Sequence, residues 1–240
     1  MSIVYANSCS FGAPDQGHLI YPEVVTKHFL AKLINRGAGG SCNRRIIRTT
    51  LRDCIEIQPN LVLIGLTFIS RTEAWQPWLP NNTNDGDFHP IIIDHGKLDW
   101  TKGLYTKINN VHQYADQPIR DYYQQWLLHY NPEAELYNLL TDILMLTGWL
   151  KEQGIKYLVF ANTDVFPADI DYTAPFLSSL RDSILKDKSI INLWEFSFGT
   201  YARNLGYKPK DENLYGVHGH PNEQAHIDFA NHLIVNYINV

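Results

Sequence analysis

Three clusters of hydroxyl, amide, glycine and imidazole groups stand out in this chain of 240 residues. The first, Ala6-Asn7-Ser8-Cys9-Ser10-Phe11-Gly12, follows the apolar run Ile3-Val4-Tyr5-Ala6. A serine in such a turn presents its hydroxyl beside backbone N–H donors that favour developing negative charge. Ser8 and Ser10 could equally serve only as caps of that turn. The second cluster runs from Asn35 through Gly37-Ala38-Gly39-Gly40 to Asn43. It lacks the lysine of a phosphate loop and does not match Gly-x-Gly-x-x-Gly. Bare backbone at Gly39-Gly40 can still approach a substrate closely and lend an N–H. The third is His218-Gly219-His220-Pro221-Asn222-Glu223-Gln224-Ala225-His226. Histidine titrates near neutrality, as a general base must, and Pro221 with Glu223 suits a first helical turn holding His220 just outside. Glu223 is the only carboxylate in the cluster and is accounted for by that helix start, so no metal site is expected, and no cofactor.

The elements that must position these clusters follow from the patterning. Short apolar runs alternate with longer helical ones, the signature of a parallel sheet covered by helices. Strands are expected at Ile3–Ala6, Leu61–Ile64, Lys156–Phe160 and Ile190–Leu193. A first helix is expected from Pro22 to about Leu33, and others at Asn43–Ile57, Ile119–His129, Pro132 to Gly154, Ala174–Leu185 and Asn222–Tyr237. Asn131 is the expected N-cap of the helix that Gly154 stops. Between about residues 72 and 130 this rhythm breaks. Pro77, Pro80 and Pro90 sit there among Trp75, Trp78, Phe88 and Trp100, which reads as a folded insertion within one domain.

Composition narrows the partners. Charged residues make up 19% and the formal net charge is −5, without a block of Lys or Arg, which argues against nucleic acid. No stretch approaches the ~20 apolar residues that span a bilayer, so no membrane association is expected. Cys9, Cys42 and Cys54 are three, with no metal-type spacing, and fit a reducing compartment. The N-terminus shows no signal-peptide pattern, so a cytoplasmic protein is expected.

Taken in order, the clusters resemble the SGNH (GDSL-type) hydrolases. Ala6-Asn7-Ser8 stands at the Gly-Asp-Ser block, with Ser10 and Gly12 continuing it. Asn35-x-Gly37-x-x-Gly40 resembles the second block, Gly65-Leu66-Thr67 stands at Gly-x-Asn, and His218–His226 resembles the last. The resemblance spans residues 1–67 and 156–240. It departs at Asn7 for Asp, at Thr67 for the oxyanion-donating Asn, and at Val217, where an acid should precede His220 by three residues. It implies a three-layer α/β/α sandwich with a central parallel sheet of the flavodoxin-like SGNH kind, here with an aromatic-rich insertion.

The resemblance further implies acyl transfer to water. His220 would take a proton from Ser8 Oγ, with Asp211 the candidate acid and Glu212, Asp164 or a bare Ser–His dyad the alternatives. Ser8, Gly40 and Thr67 would receive the oxyanion, and Asn43, Arg71, Glu73 and Trp75 would contact substrate. Tryptophans among Asn and Asp suit sugar rings, which makes a short acyl ester of a carbohydrate the expected substrate. Two other readings stand beside this one. The first is a catalytically degenerate structural or binding protein, whose partners would be a homo-oligomer or a virion assembly of a tailed phage. The second, a flavodoxin-like nucleotide binder, lacks the phosphate-loop residues.

Overall fold

The computed structural model describes residues 1–14, 17–69, 71–75, 88–91, 98–99, 104–105, 125–126, 128–163, 170, 173–207 and 220–239. Four strands form a parallel sheet: β1 (Ile3–Ser8), β2 (Lys32–Asn35), β3 (Leu61–Leu66) and a later strand, β8 (Lys156–Ala161), in the order β2-β1-β3-β8. Every residue of β3 is buried, as a strand covered on both faces requires. Register aligns Ser8 with Gly65 and Gly65 with Phe160, so the carboxyl ends of β1, β3 and β8 open on one rim.

Helices cover both faces, as expected for the fold class. On one face Tyr5, Val62, Ile64, Leu66, Tyr157 and Val159 meet α2 (Asn43–Ile57), α3 (Pro132–Glu152) and α4 (Pro175–Leu185). On the other, Val4, Ala6, Leu63, Leu158 and Phe160 meet α1 (Tyr21–His28), α5 (Phe198–Asn204) and α6 (Glu223–Leu233). Among the described residues, two short antiparallel pairs lie between β3 and α3 in sequence: β4 (Thr72–Trp75) with β5 (Phe88–Ile91), and β6 (Leu98–Asp99) with β7 (Leu104–Tyr105). Among the described residues no helix is long and apolar enough to cross a membrane.

Local chemistry sets the boundaries. Asn131 Oδ1 accepts from Glu133 N and Ala134 N at the start of α3, Pro132 takes the first position, and Gly154 follows the helix at φ +68°. Two expected elements differ. The first helix does not reach Leu33: it ends at His28, Leu30 adopts φ +48°, and the chain turns back into the edge strand β2. Ile190–Leu193 is not a strand. Single parallel bridges, Val159 to Ile190 and Ala161 to Ser197, mark the place beside β8, because the chain turns at Asn192–Phe196 between them.

Candidate active site

The two ends of the chain meet at the rim. His220 Nε2 lies 2.8 Å from Ser10 Oγ, across 210 residues of sequence. Ser10 opens a single 3-10 turn (Ser10–Gly12) immediately past β1. His220 stands two residues before Asn222, the N-cap of α6, which accepts from Ala225 N at 3.0 Å. Behind the imidazole, Phe11 packs edge-on at 5.4 Å between centroids, and Phe11 itself rests on the buried Phe198 at 6.0 Å. Rigid apolar backing of this kind limits the rotations open to the ring.

The imidazole therefore pairs with Ser10, and the expected pairing with Ser8 is corrected. Ser8 is the last residue of β1, only 1% exposed, and its hydroxyl donates to Cys9 O at 3.0 Å. A nucleophile must stand beyond the strand end, where a substrate can reach it, and two more residues are needed to get there. Asn7 turns away from the rim altogether, sharing its amide among Ile46 O, Thr49 Oγ1 and Thr50 Oγ1 of α2.

The glycine loop after β2 approaches the serine turn, but through Gly37 rather than Gly40. A Cβ built at Gly37 would lie 2.6 Å from Gly12 O and 3.0 Å from Ser8 Oγ. Asn35 ties the two loops together, donating to Gly12 O at 2.8 Å and accepting from Gly37 N at 2.9 Å. The Gly37 N–H is thus committed. Gly40, at φ +75° in the turn closed by Ser41 N to Ala38 O, keeps an N–H without a hydrogen-bond partner among the described residues.

Thr67 is fully buried at the end of β3. Its N–H donates to Asn43 Oδ1 and its carbonyl accepts from Asn43 Nδ2, both at 2.8 Å. Both polar ends of the Asn43 side chain are consumed, so Asn43 clamps the β3 exit to the start of α2 rather than offering its amide to a substrate. Only the Thr67 hydroxyl remains, with no hydrogen-bond partner among the described residues.

Glu73 is likewise spent. Arg48 donates to it in a bidentate pair at 3.2 and 2.9 Å, joining α2 to β4, which explains why the Glu73 side chain is 7% exposed. Arg71 leans on the Phe68 ring and reaches Ser41 O at 3.4 Å. It lines a small, shallow cleft together with Arg44, Glu135 and Asp142. Burial raises the carboxyl pKa of Glu135 and Asp142, and Arg44 between them offsets only part of that. The backbone of Trp75 belongs to β4; its side chain, Asp211, Glu212 and Asp164 lie outside the described residues.

Two residues that sequence reasoning did not single out stand directly under the serine turn. Asn162, the first residue past β8, and Tyr21, at the start of α1, are both fully buried. A polar residue closing an apolar strand at the rim was the available signal for Asn162. Tyr21 carried none, because a tyrosine opening a helix reads as ordinary core. Burial pushes the Cys42 and Cys54 thiols up to about 12, away from thiolate chemistry near neutral pH.

No family model and no curated protein matches the chain. Among solved structures it is similar to the psychrotrophic esterase EstA from Pseudoalteromonas, with 12% identity over 100% of this chain and 97% of that one, at a TM-score of 0.49. A mutant of the acetyl-xylooligosaccharide esterase Axe2 from Geobacillus gives 12% identity over 98% and 94%, again at 0.49. The acetyl xylan esterase AlAXEase gives 12% over 97% and 98%, at 0.44. Likeness this distant says nothing about activity or substrate.

Proposed function

We propose that the protein is a serine esterase in which Ser10 is the nucleophile and His220 the general base. One observation carries this reading: a hydroxyl and an imidazole from opposite ends of the chain stand at hydrogen-bond distance on the carboxyl rim of a parallel sheet. With Nε2 accepting the Ser10 proton, Nδ1 carries the ring hydrogen. Ser10 Oγ attacks the ester carbonyl carbon as His220 takes its proton. The tetrahedral intermediate collapses, the C–O bond to the alcohol breaks, and His220 returns the proton to the leaving oxygen. Water then repeats the sequence on acyl-Ser10, releasing the acid and restoring the serine.

The Ser10 N–H, the Gly40 N–H and the Thr67 hydroxyl are the donors we assign to the oxyanion. Each such donor contributes roughly 3 kcal/mol to the transition state. Asp211 remains the candidate to orient His220 through Nδ1. For substrate we favour a short acyl group, acetyl above all, on a carbohydrate. The sequence places Trp75, Trp78 and Trp100 among Asn and Asp, a composition that suits sugar rings, and Arg71 in its cleft would supply a cation for a polar group.

The test is labelling with a fluorophosphonate probe, followed by hydrolysis of acetylated xylo-oligosaccharide. Wild type and Ser8→Ala should both be labelled, whereas Ser10→Ala and His220→Ala should not. Labelling that survives in Ser10→Ala and disappears in Ser8→Ala would return the nucleophile to Ser8. Val217, standing where an acid is expected, favours a second reading, a binding protein on a hydrolase-like scaffold. A folded wild type that takes no label would establish that reading instead.

A further inference from the structure

Tyr21 packs against the segments that carry the two halves of the proposed pair, without touching Ser10 or His220 themselves. On the nucleophile side, its hydroxyl enters the spaces left by two glycines. A Cβ built at Gly12 would lie 2.6 Å from Tyr21 Oη and 2.3 Å from Ser8 Oγ. One built at Gly65 would lie 2.9 Å from Tyr21 Oη and 2.3 Å from Asn162 Nδ2. Asn162 in turn directs Nδ2 at Cys9 Sγ, 3.8 Å away. The phenol thus stands among Ser8, Gly12, Gly65 and Asn162, below the residues that lead into Ser10. On the base side, Tyr21 N donates to His226 Nδ1 at 3.3 Å, and the two rings stack 5.9 Å apart at 18°. His226 is 1% exposed and sits in the first turns of α6, the helix whose entry carries His220.

We propose that Tyr21 is a positioning residue that sets the serine and the histidine relative to each other. Its hydroxyl, together with Asn162, braces the Ser8-Cys9 segment, and its main chain and ring anchor α6 through His226. The inference rests on the serine-esterase reading. Packing alone does not explain the hydroxyl. Phenylalanine would fill nearly the same volume without burying a polar group, which costs stability unless the group is used. Burial raises the phenol pKa, so it remains an O–H throughout the working range of a histidine base. Tyr21 touches no reacting atom. Its effect is on geometry, to which rates are steeply sensitive: a misplacement of about 1 Å costs on the order of a hundredfold.

The experiment measures the saturating phosphonylation rate and the concentration dependence of fluorophosphonate labelling in wild type, Tyr21→Phe, Asn162→Ala and the double variant, with folding checked by circular dichroism. Tyr21→Phe should slow the saturating rate by about tenfold or more while half-saturation stays put. Asn162→Ala should do the same, and the double variant should be little worse than either, because both act on one segment. A labelled wild type with Tyr21→Phe and Asn162→Ala at its rate overturns this inference and leaves the esterase reading intact. An unlabelled wild type overturns both. Should Tyr21→Phe fail to fold, Asn162→Ala decides by the same two outcomes.

Discussion

Two buried polar regions flank β1, and they are built on opposite principles. On the α2 face, polar groups are mostly spent on one another, Asn7 Oδ1 being an exception among the described residues. Tyr5 Oη donates to Asp53 at 3.2 Å, Arg36 and Arg52 each donate to the same carboxylate at 2.8 Å, and Asn7 shares its amide among three oxygens of α2. At the carboxyl rim, by contrast, Thr67 Oγ1, Asn162 Oδ1 and Thr163 Oγ1 are buried without a hydrogen-bond partner among the described residues. Leaving such groups unmatched costs about 1–3 kcal/mol each. A fold tolerates that cost where the groups serve chemistry, so the matched region reads as a brace and the unmatched one as a site.

The sharpest way to break this contrast is to fill the space at the rim. Gly37→Ala places a methyl 2.6 Å from Gly12 O and 2.9 Å from Gly12 C, both backbone atoms that cannot swing aside. We expect a loss of about 3 kcal/mol in urea unfolding and no labelling by the probe. Gly65→Ala meets the Asn162 and Tyr21 side chains instead, at 2.3 and 2.9 Å, and these can yield. Its cost should be nearer 2 kcal/mol, with labelling slowed rather than lost. Equal stability losses for the two would mean that the rim is no more rigid at its backbone than at its side chains.

Much of the scaffold is legible in the sequence because hydrophobic period and capping act locally. Asn131-Pro132, Gly154 and Asn222 mark helix ends in the residues themselves, and Leu61–Ile64 announces a buried strand. What the sequence does not disclose is depth. Ser8 and Ser10 are chemically alike, and only the length of β1 decides which hydroxyl clears the sheet. The same holds for Glu73, whose type suits a substrate contact until Arg48, 25 residues earlier, is seen to take both its oxygens. Edge strand β2 is hidden for a related reason: Lys32 is exposed, its other three residues are only partly buried, and they continue the apolar pattern of α1. Asn162 and Tyr21 owe their importance to two glycines that are distant in sequence, and no local pattern reports that.

The brace predicts a pH signature that the rim should lack. Burial alone would raise the Asp53 carboxyl, but the Arg52 and Arg36 guanidiniums outweigh it and hold the pKa below its ordinary value. A depressed carboxyl contributes stability that is complete above its unfolded pKa, about 4, and that fades as pH falls through the lower folded value. Asp53→Asn should therefore be destabilised by about 1–2 kcal/mol at pH 7, a modest figure because both arginines are partly solvated. The gap from wild type should narrow in urea titrations below pH 4. A gap that stays constant down to pH 2 would show that shape, and not charge, holds α2 to β1.

The smallest effect is expected at Glu73, and it separates the two regions most finely. Glu73→Gln keeps the shape of the side chain and one acceptor for Arg48 but removes the charge. The pair joins α2 to β4 across a partly exposed surface, so the loss should be about 1 kcal/mol or less and should shrink further in 1 M salt. The probe should label this variant at the wild-type rate, because both carboxylate oxygens face Arg48 and not the rim. A labelling rate that falls while the urea midpoint barely moves would reverse the assignment. Glu73 would then belong with Arg71 on the substrate side, and the boundary between brace and site would run through the Arg48–Glu73 pair instead of beside it.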